Sequence, residues 1–349
     1  MEQGDVKLPA AVLERWTTDL LAGAGLDGAA AATVAATLVD ASLRGVDSHG
    51  VARTPIYVER LRAGGINPRP RPRIEREAGA LALMDGDDGP GQVAGVQATD
   101  HSIELARHFG IGVVAVRRSN HYGAAGFYAM RAARAGMIGV STTNADPLVI
   151  PFGGRDPVLG TNPIAFAAPL PSGVFCLDMA TSQVAVNRIY NARDAGRPIP
   201  EGWGVDAEGR TTTDPAAVAA AVPLGGYKGY GLAVMVEILS GVLAGAGVAH
   251  TVAPLYGPRK APQDVGHFHL ALDPGPLVGA GPFADSLARL LSELSATPPG
   301  TGHDEVLVPG DPEERAAAER RKTGIPLPPF LWSALREAGA AVGVAPPTP

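Results

Sequence analysis

The reading of residues 81–126, LALMDGDDGPGQVAGVQATDHSIELARHFGIGVVAVRRSNHYGAAG, decides the fold. Leu81–Met84 reads as a short strand, Gln92–Phe109 spaces its apolar residues as a helix does, and Ile111–Val116 is a run rich in β-branched side chains. A second helix is expected over Ala124–Arg134 and another strand over Met137–Thr143. Short strands alternating with helices make an α/β or α+β domain. Further along, Ile164–Ala168 and Phe175–Asp178 read as strands, Lys228–Ala244 as a long apolar helix, and Gly266–Leu272 as a half-buried strand with alternating polarity.

Upstream of this region the pattern is purely helical. Ala10–Ala22 carries Leu13, Trp16, Leu20 and Leu21 on one stripe, Asp27 is placed to cap an alanine-rich run to Leu43, and Pro55–Arg62 ends at Gly64-Gly65. Pro68, Pro70 and Pro72 then alternate with arginines, and each forbids helix in the residue before it, so an extended linker follows. The expected organisation is a helical N-terminal domain over residues 1–75, an α/β domain over 76–304, and helices returning to the first domain over 305–349. In that last stretch Asp311 is expected to cap a helix whose first position is Pro312.

Composition narrows the function. With 349 residues, 46% of them apolar, the chain is long enough for a large buried core. A net charge of -6 offers no electrostatic footprint for nucleic acid. The single cysteine, Cys176, cannot form an internal disulfide, which fits a reducing compartment and removes thiolate metal sites. HExxH is absent and His267 and His269 have no carboxylate series around them, so no metal is expected. Residues 1–8 lack an apolar h-region, and apolar windows such as Gly231–Gly247 are too short to cross a bilayer, so a cytoplasmic protein without membrane partners is expected.

Several loops carry groups suited to chemistry. Gly89-Pro90-Gly91-Gln92-Val93-Ala94 fits the glycine pattern of a Rossmann phosphate loop, but the next strand runs into Arg117 and Arg118 where an acidic residue would hold the ribose of NAD. A turn explains these glycines equally well. The stretch Arg44 to Arg53 holds Ser48, His49 and Arg53 at the end of a helix. A histidine there can shuttle a proton near neutral pH, and an arginine can clamp a carboxylate through two parallel hydrogen bonds. Ser119-Asn120-His121-Tyr122-Gly123 follows the strongest strand and precedes a helix, a place where α/β proteins collect ligands. Glycines and polar groups recur at Ala145-Asp146, at Gly160-Thr161-Asn162, at Asp178-Met179-Ala180-Thr181, and at Gly225 to Gly231, where Lys228 and Gly229 open a helix suited to a diphosphate.

Taken together, LRGVDSHGVAR (43–53), SNHYGAAGFYA (119–129), PFGGRDPVLGTNPIAFAAP (151–169), LDMATS (177–182), PLGGYKGYGLA (223–233) and VPGDPEE (308–314) resemble the malate/L-lactate dehydrogenase family of the non-Rossmann type, in the family's order. The resemblance implies a homodimeric oxidoreductase using NAD or NADP, with a helical N-terminal domain and a mixed-sheet cofactor domain. It implies hydride transfer between nicotinamide and a small 2-hydroxy or 2-oxo acid, and makes the Gly89 loop a turn. The alternatives are NADPH-dependent reduction of a cyclic or N-substituted imino acid, or a non-catalytic cofactor-binding relative. By the same likeness His49 and His121 are the acid–base candidates, with Ser48 beside them, and Arg53 anchors the substrate carboxylate with Thr161 and Asn162 in reach. Cofactor contacts carry over to Ala145, Asp178, Met179, Ala180, Thr181, Lys228, Gly229 and the Pro309-Gly310-Asp311 turn. Asn187, Asp311 and His269 depart from the usual pattern of the family.

Overall fold

The computed structural model describes residues 5–348, so what was expected of residues 1–4 and of Pro349 lies outside it. The Asp27 carboxylate accepts from the N–H groups of Ala29 and Ala30 and starts the helix Gly28–Leu43, which packs against Ala10–Gly23; the helix Thr54–Ala63 packs against Ala10–Gly23 as well. Leu13, Leu20, Leu38 and Tyr57 from these helices share one core with Ile325, Leu327, Leu331 and Leu335 from the end of the chain. The two-stranded sheet that pairs Val6–Leu8 with Ile325–Leu327 closes the same unit. Each such leucine contributes on the order of 1.5–3 kcal/mol through the apolar surface it removes from water.

A seven-stranded mixed sheet follows, in the spatial order Arg73–Ala78, Leu81–Asp85, Ile111–Ser119, Val265–Leu272, Ile138–Thr143, Ile164–Pro169 and Val174–Met179. Only Leu81–Asp85 and Ile111–Ser119 run parallel, joined by the crossover helix Gly91–Phe109; every other neighbour is antiparallel. A doubly wound nucleotide fold needs a series of parallel strands, so the mixed α/β expectation stands and the Rossmann reading of Gly89 and Gly91 falls. The turn has another task. Carbonyls of Asp88 and Gly89 accept from the Asn120 amide at 2.8 and 3.0 Å, and a Cβ on Gly91 would stand 2.1 Å from the Asn120 carbonyl oxygen. These glycines seat the loop that carries His121. Arg117 and Arg118 are paired with Glu75, Asp85 and Asp88.

Three local expectations change. Val265–Leu272 is not half-buried: it lies at the centre of the sheet, and His267 and His269 are 0% and 1% exposed, with Thr143 and Ser119 hydroxyls meeting both nitrogens of His267 and the Thr99 hydroxyl meeting Nδ1 of His269. The helix over Lys228–Ala244 is α-helical only for Tyr227–Glu237 and widens to a π-turn at Ile238–Val242. At Asp311–Thr323 the cap is Gly310, with φ of 101°, and Asp311 is the first helical residue, its carboxylate accepting from Val308 N–H at 3.1 Å. The edge strand Arg73–Ala78 continues the proline linker and hides its pairing behind alternating charges, which also protect an exposed sheet edge.

Candidate active site

Ser48 and His49 sit on a single 3-10 turn, Asp47–His49, and Arg53 closes the next one, Val51–Arg53, before the helix Thr54–Ala63. Gly50 joins the two turns because a side chain there would run into Ser42, whose hydroxyl accepts from Val51 N–H. Arg44–Glu314 and Asp47–Arg320 ion pairs hold this segment against the helix Asp311–Thr323. His121 arrives from the other direction, at the end of Ile111–Ser119. Its own N–H donates to the Gln263 amide oxygen at 3.1 Å, while Gln263 N–H donates to Asn120 Oδ1 at 3.0 Å.

The two histidines, 72 positions apart in the chain, meet as stacked rings 5.6 Å between centroids and 15° from parallel. His49 Nδ1 lies 3.0 Å from the Ser48 hydroxyl, and His121 Nδ1 lies 2.6 Å from the Tyr57 hydroxyl. Burial pushes His49 down to about 4, with the Arg53 charge adding to the effect. Burial likewise holds His121 well below the usual imidazole range, followed by the charges of His49, Arg53 and His267. Both rings are therefore neutral at pH 7.

Arg53 is 8% exposed. Its Nη1 donates to the Tyr256 hydroxyl and its guanidinium stands 5.6 Å from that ring, but its Nε has no partner, and it forms no ion pair among the described residues. A buried cation without a counter-ion is expensive unless a ligand supplies the anion. Asp146 is close enough for Arg53 and Arg60 to act on its carboxyl, although burial is the stronger influence and raises it.

His49 and Ser48 also border a cavity of about 510 Å³, within the size range of ligand pockets. Its wall includes Thr161, Asp178, Met179, Ala180, Pro309 and Gly310, and the backbone of Gly123–Phe127 at the start of the helix Gly126–Arg134. Unpaired N–H groups at a helix start favour an anion such as a diphosphate. Asp178 faces this cavity; the surrounding walls push its carboxyl up to about 6, against a 2.7 Å hydrogen bond from Gly126 N–H.

Other expected contacts lie behind the wall. Asn162 is fully buried: its amide donates to Ala233 O and Glu237 Oε2, and its Oδ1 accepts from Ala145 N–H at 3.2 Å. The Thr181 hydroxyl donates to the carbonyls of Thr161 and Asn162. Asn162 and Thr181 thus hold Ala145 and Thr161 in place rather than facing a ligand. Lys228 and Gly229 begin the helix Tyr227–Glu237 away from the cavity, with Lys228 exposed, and Asp311 lies just beyond its lining residues Gly310 and Pro312. Among the described residues no group of three His, Cys, Asp or Glu is arranged for a metal, and no helix is long and apolar enough to cross a membrane.

Sequence reasoning missed Tyr57, Tyr256, Gln92 and Gln263. Tyr57 alone left a signal, four residues after Arg53 and hence on the same helical face.

Comparison with known proteins places the chain in a family. A family model described as malate/L-lactate dehydrogenase matches residues 8–336. The chain belongs to the malate/L-lactate dehydrogenase family. Malate dehydrogenase of Pyrococcus abyssi is 39% identical over 99% of this chain and 97% of its own. Ureidoglycolate dehydrogenase (NAD(+)) of Escherichia coli is 39% identical over 90% of this chain and 91% of its own. The solved sulfolactate dehydrogenase of Methanocaldococcus jannaschii superposes with a TM-score of 0.91 at 38% identity, covering 97% of this chain and 98% of that one. Like the family, the chain is an oxidoreductase of the dehydrogenase kind.

Proposed function

We propose that this chain transfers a hydride between NAD or NADP and a small 2-hydroxy or 2-oxo acid, with Arg53 holding the substrate carboxylate and His121 exchanging the proton. The observation that carries this reading is the buried Arg53 guanidinium, without an ion-pair partner among the described residues and with its Nε unsatisfied, beside two neutral imidazoles. The 510 Å³ cavity, with helix N–H groups at one wall and Asp178 at another, fits a dinucleotide whose nicotinamide end reaches His49. When bound there, nicotinamide supplies or accepts the hydride at its C4.

The chain's own residues do the rest. Arg53 fixes the acid by a bidentate pair, which turns a two-body encounter into a near-attack geometry. Its charge is one of the influences holding both rings neutral; a bound carboxylate offsets that charge, so substrate binding raises the proton affinity of His121. The imidazolium so formed gives its Nε2 proton to the oxygen that becomes the hydroxyl, and in the oxidising direction the neutral ring removes it. His49 stacks on His121 and forms the wall toward the cofactor cavity. Reduction of a cyclic imino acid would use the same carboxylate anchor and the same proton.

A homodimer belongs to this reading. Leu232, Met235 and Val242 share an exposed stripe with Lys228 along the helix and its π-turn, which is apolar surface suited to a second copy. Buried Cys176, its thiol pushed up to about 12 by burial, is an inert free thiol that fits a cytoplasmic setting. The test is an absorbance screen of NADH and NADPH with pyruvate, oxaloacetate, sulfopyruvate, ureidoglycolate and cyclic imino acids. Turnover of one of them, lowered at least about a thousandfold by His121→Ala and much less by His49→Ala, is expected. Full activity in both variants would dismiss the scheme.

A further inference from the structure

Gln92 occupies the first turn of the helix Gly91–Phe109 and is 0% exposed. Its Nε2 donates to the Tyr57 hydroxyl at 2.9 Å, while its Oε1 is buried without a partner among the described residues. The same hydroxyl is 2.6 Å from His121 Nδ1. The phenol oxygen has two lone pairs and only one proton, so with the amide donating to it the direction of that proton is set by whether Nδ1 already faces a donor. The Gly123 N–H points at the same nitrogen, 3.3 Å away. Nδ1 is then a bare acceptor, and the neutral ring carries its proton on Nε2. Turning the amide over would reverse every bond: Oε1 would accept from Tyr57, Tyr57 would accept from Nδ1–H, and Nε2 would be bare.

We propose that Gln92 is a positioning residue that sets, through Tyr57, which nitrogen of His121 carries the proton. Tyr57 passes on only the direction of a hydrogen bond; burial pushes its own pKa far up, and its proton stays on it. The titratable and charged groups facing His121 are His49 from the adjacent turn, Arg53 and Tyr57 from the helical segment, and His267 from the central strand. His49, Arg53 and His267 each oppose a second proton, so in the free protein the placement of one proton is what remains to be governed. The consequence for the proposed reaction, on which this inference rests, is direct: the Nε2–H ring donates a hydrogen bond to a 2-oxo oxygen, whereas the base that oxidation of a hydroxy acid requires has a bare Nε2, so in that direction the Gln92–Tyr57 relay must first turn over.

The test is nitrogen NMR of protein labelled at histidine, with the His121 signals assigned by their loss in His121→Asn. Wild-type protein should show bare Nδ1 and protonated Nε2. Gln92→Glu should reverse the pair, because a carboxylate only accepts, and should raise the pH at which the ring titrates by about one unit. In Tyr57→Phe the link is cut, so adding Gln92→Glu should leave the tautomer as it is in Tyr57→Phe alone. Gln92→Met, which keeps the packing without polar atoms, should give a mixture and decides the matter if Gln92→Glu does not fold. A wild-type ring protonated at Nδ1, an unreversed tautomer in folded Gln92→Glu, or an unchanged single tautomer in Gln92→Met would overturn the proposal. The spectra need no turnover: reversal in a protein inert toward every acid would uphold this assignment and remove only the enzymatic reading.

Discussion

Replacing His269 by leucine should flatten the acid side of the stability curve. His269 is 1% exposed in the middle of the sheet. The Thr99 hydroxyl donates to Gly95 O at 2.8 Å and so accepts from His269 Nδ1 at 3.0 Å, leaving Nε2 buried with no partner among the described residues. Burial pushes the ring down to about 3 from its ordinary 6.5. As pH falls below 6.5 the unfolded chain takes up a proton that the folded chain refuses until about 3, so stability is present at neutral pH and is lost on acidification. Two pH units below the unfolded value, at about pH 4.5, the loss is roughly 2.5–3 kcal/mol from this ring alone. His269→Leu keeps a side chain of comparable bulk, removes the unsatisfied nitrogen and removes the titration. Urea unfolding from pH 7 down to about 4.5 measures the difference: the wild-type curve should fall more steeply by that amount, with the variant equal or more stable at pH 7. Parallel curves for the two proteins would refute the reasoning.

Other outcomes follow from the same contacts. Asp178→Asn keeps an acceptor for Gly126 N–H but removes the group that titrates near 6, so NAD+ affinity should rise several-fold through that pH in wild type and stay flat in the variant, read by calorimetric titration. Asn162→Ala leaves the buried Glu237 short of a donor and Ala145 N–H short of an acceptor; denaturant unfolding should show a loss of about 2–4 kcal/mol. If the proposed homodimer uses the exposed apolar stripe, Val242→Glu places a charge in its interface and should halve the mass seen by sedimentation, with the fold intact by circular dichroism.

Elements with a strong period were legible from residues alone: the Asp27 cap, the apolar stripe of Gly91–Phe109 and the β-branched run at Ile111 all stand where the sequence puts them. The central strand was legible in position but not in burial. Alternating His267 and His269 imitate a solvent face, and only the Ser119, Thr143 and Thr99 hydroxyls brought by other elements make them tolerable inside. The Gly89 loop misled for a related reason, since glycines that admit a phosphate and glycines that admit a neighbouring carbonyl look alike in one dimension. At the site, His49, Arg53 and His121 could be named from their loops, but their meeting depends on Asn120, Gln263 and the Gly86–Gly91 turn. Asn162 looked like a substrate donor because nothing local announces that Glu237 and Ala233 consume its amide.

The most direct measurement is the affinity of oxalate, an unreactive two-carbon stand-in for a 2-oxo acid, for the NADH-loaded protein and for its Arg53→Gln variant. Oxalate should bind the wild-type complex, and the variant should lose at least about a hundredfold, near 3 kcal/mol, while holding NADH as tightly as before. Equal oxalate affinity in the two proteins would place the acid somewhere other than the buried guanidinium and contradict the account.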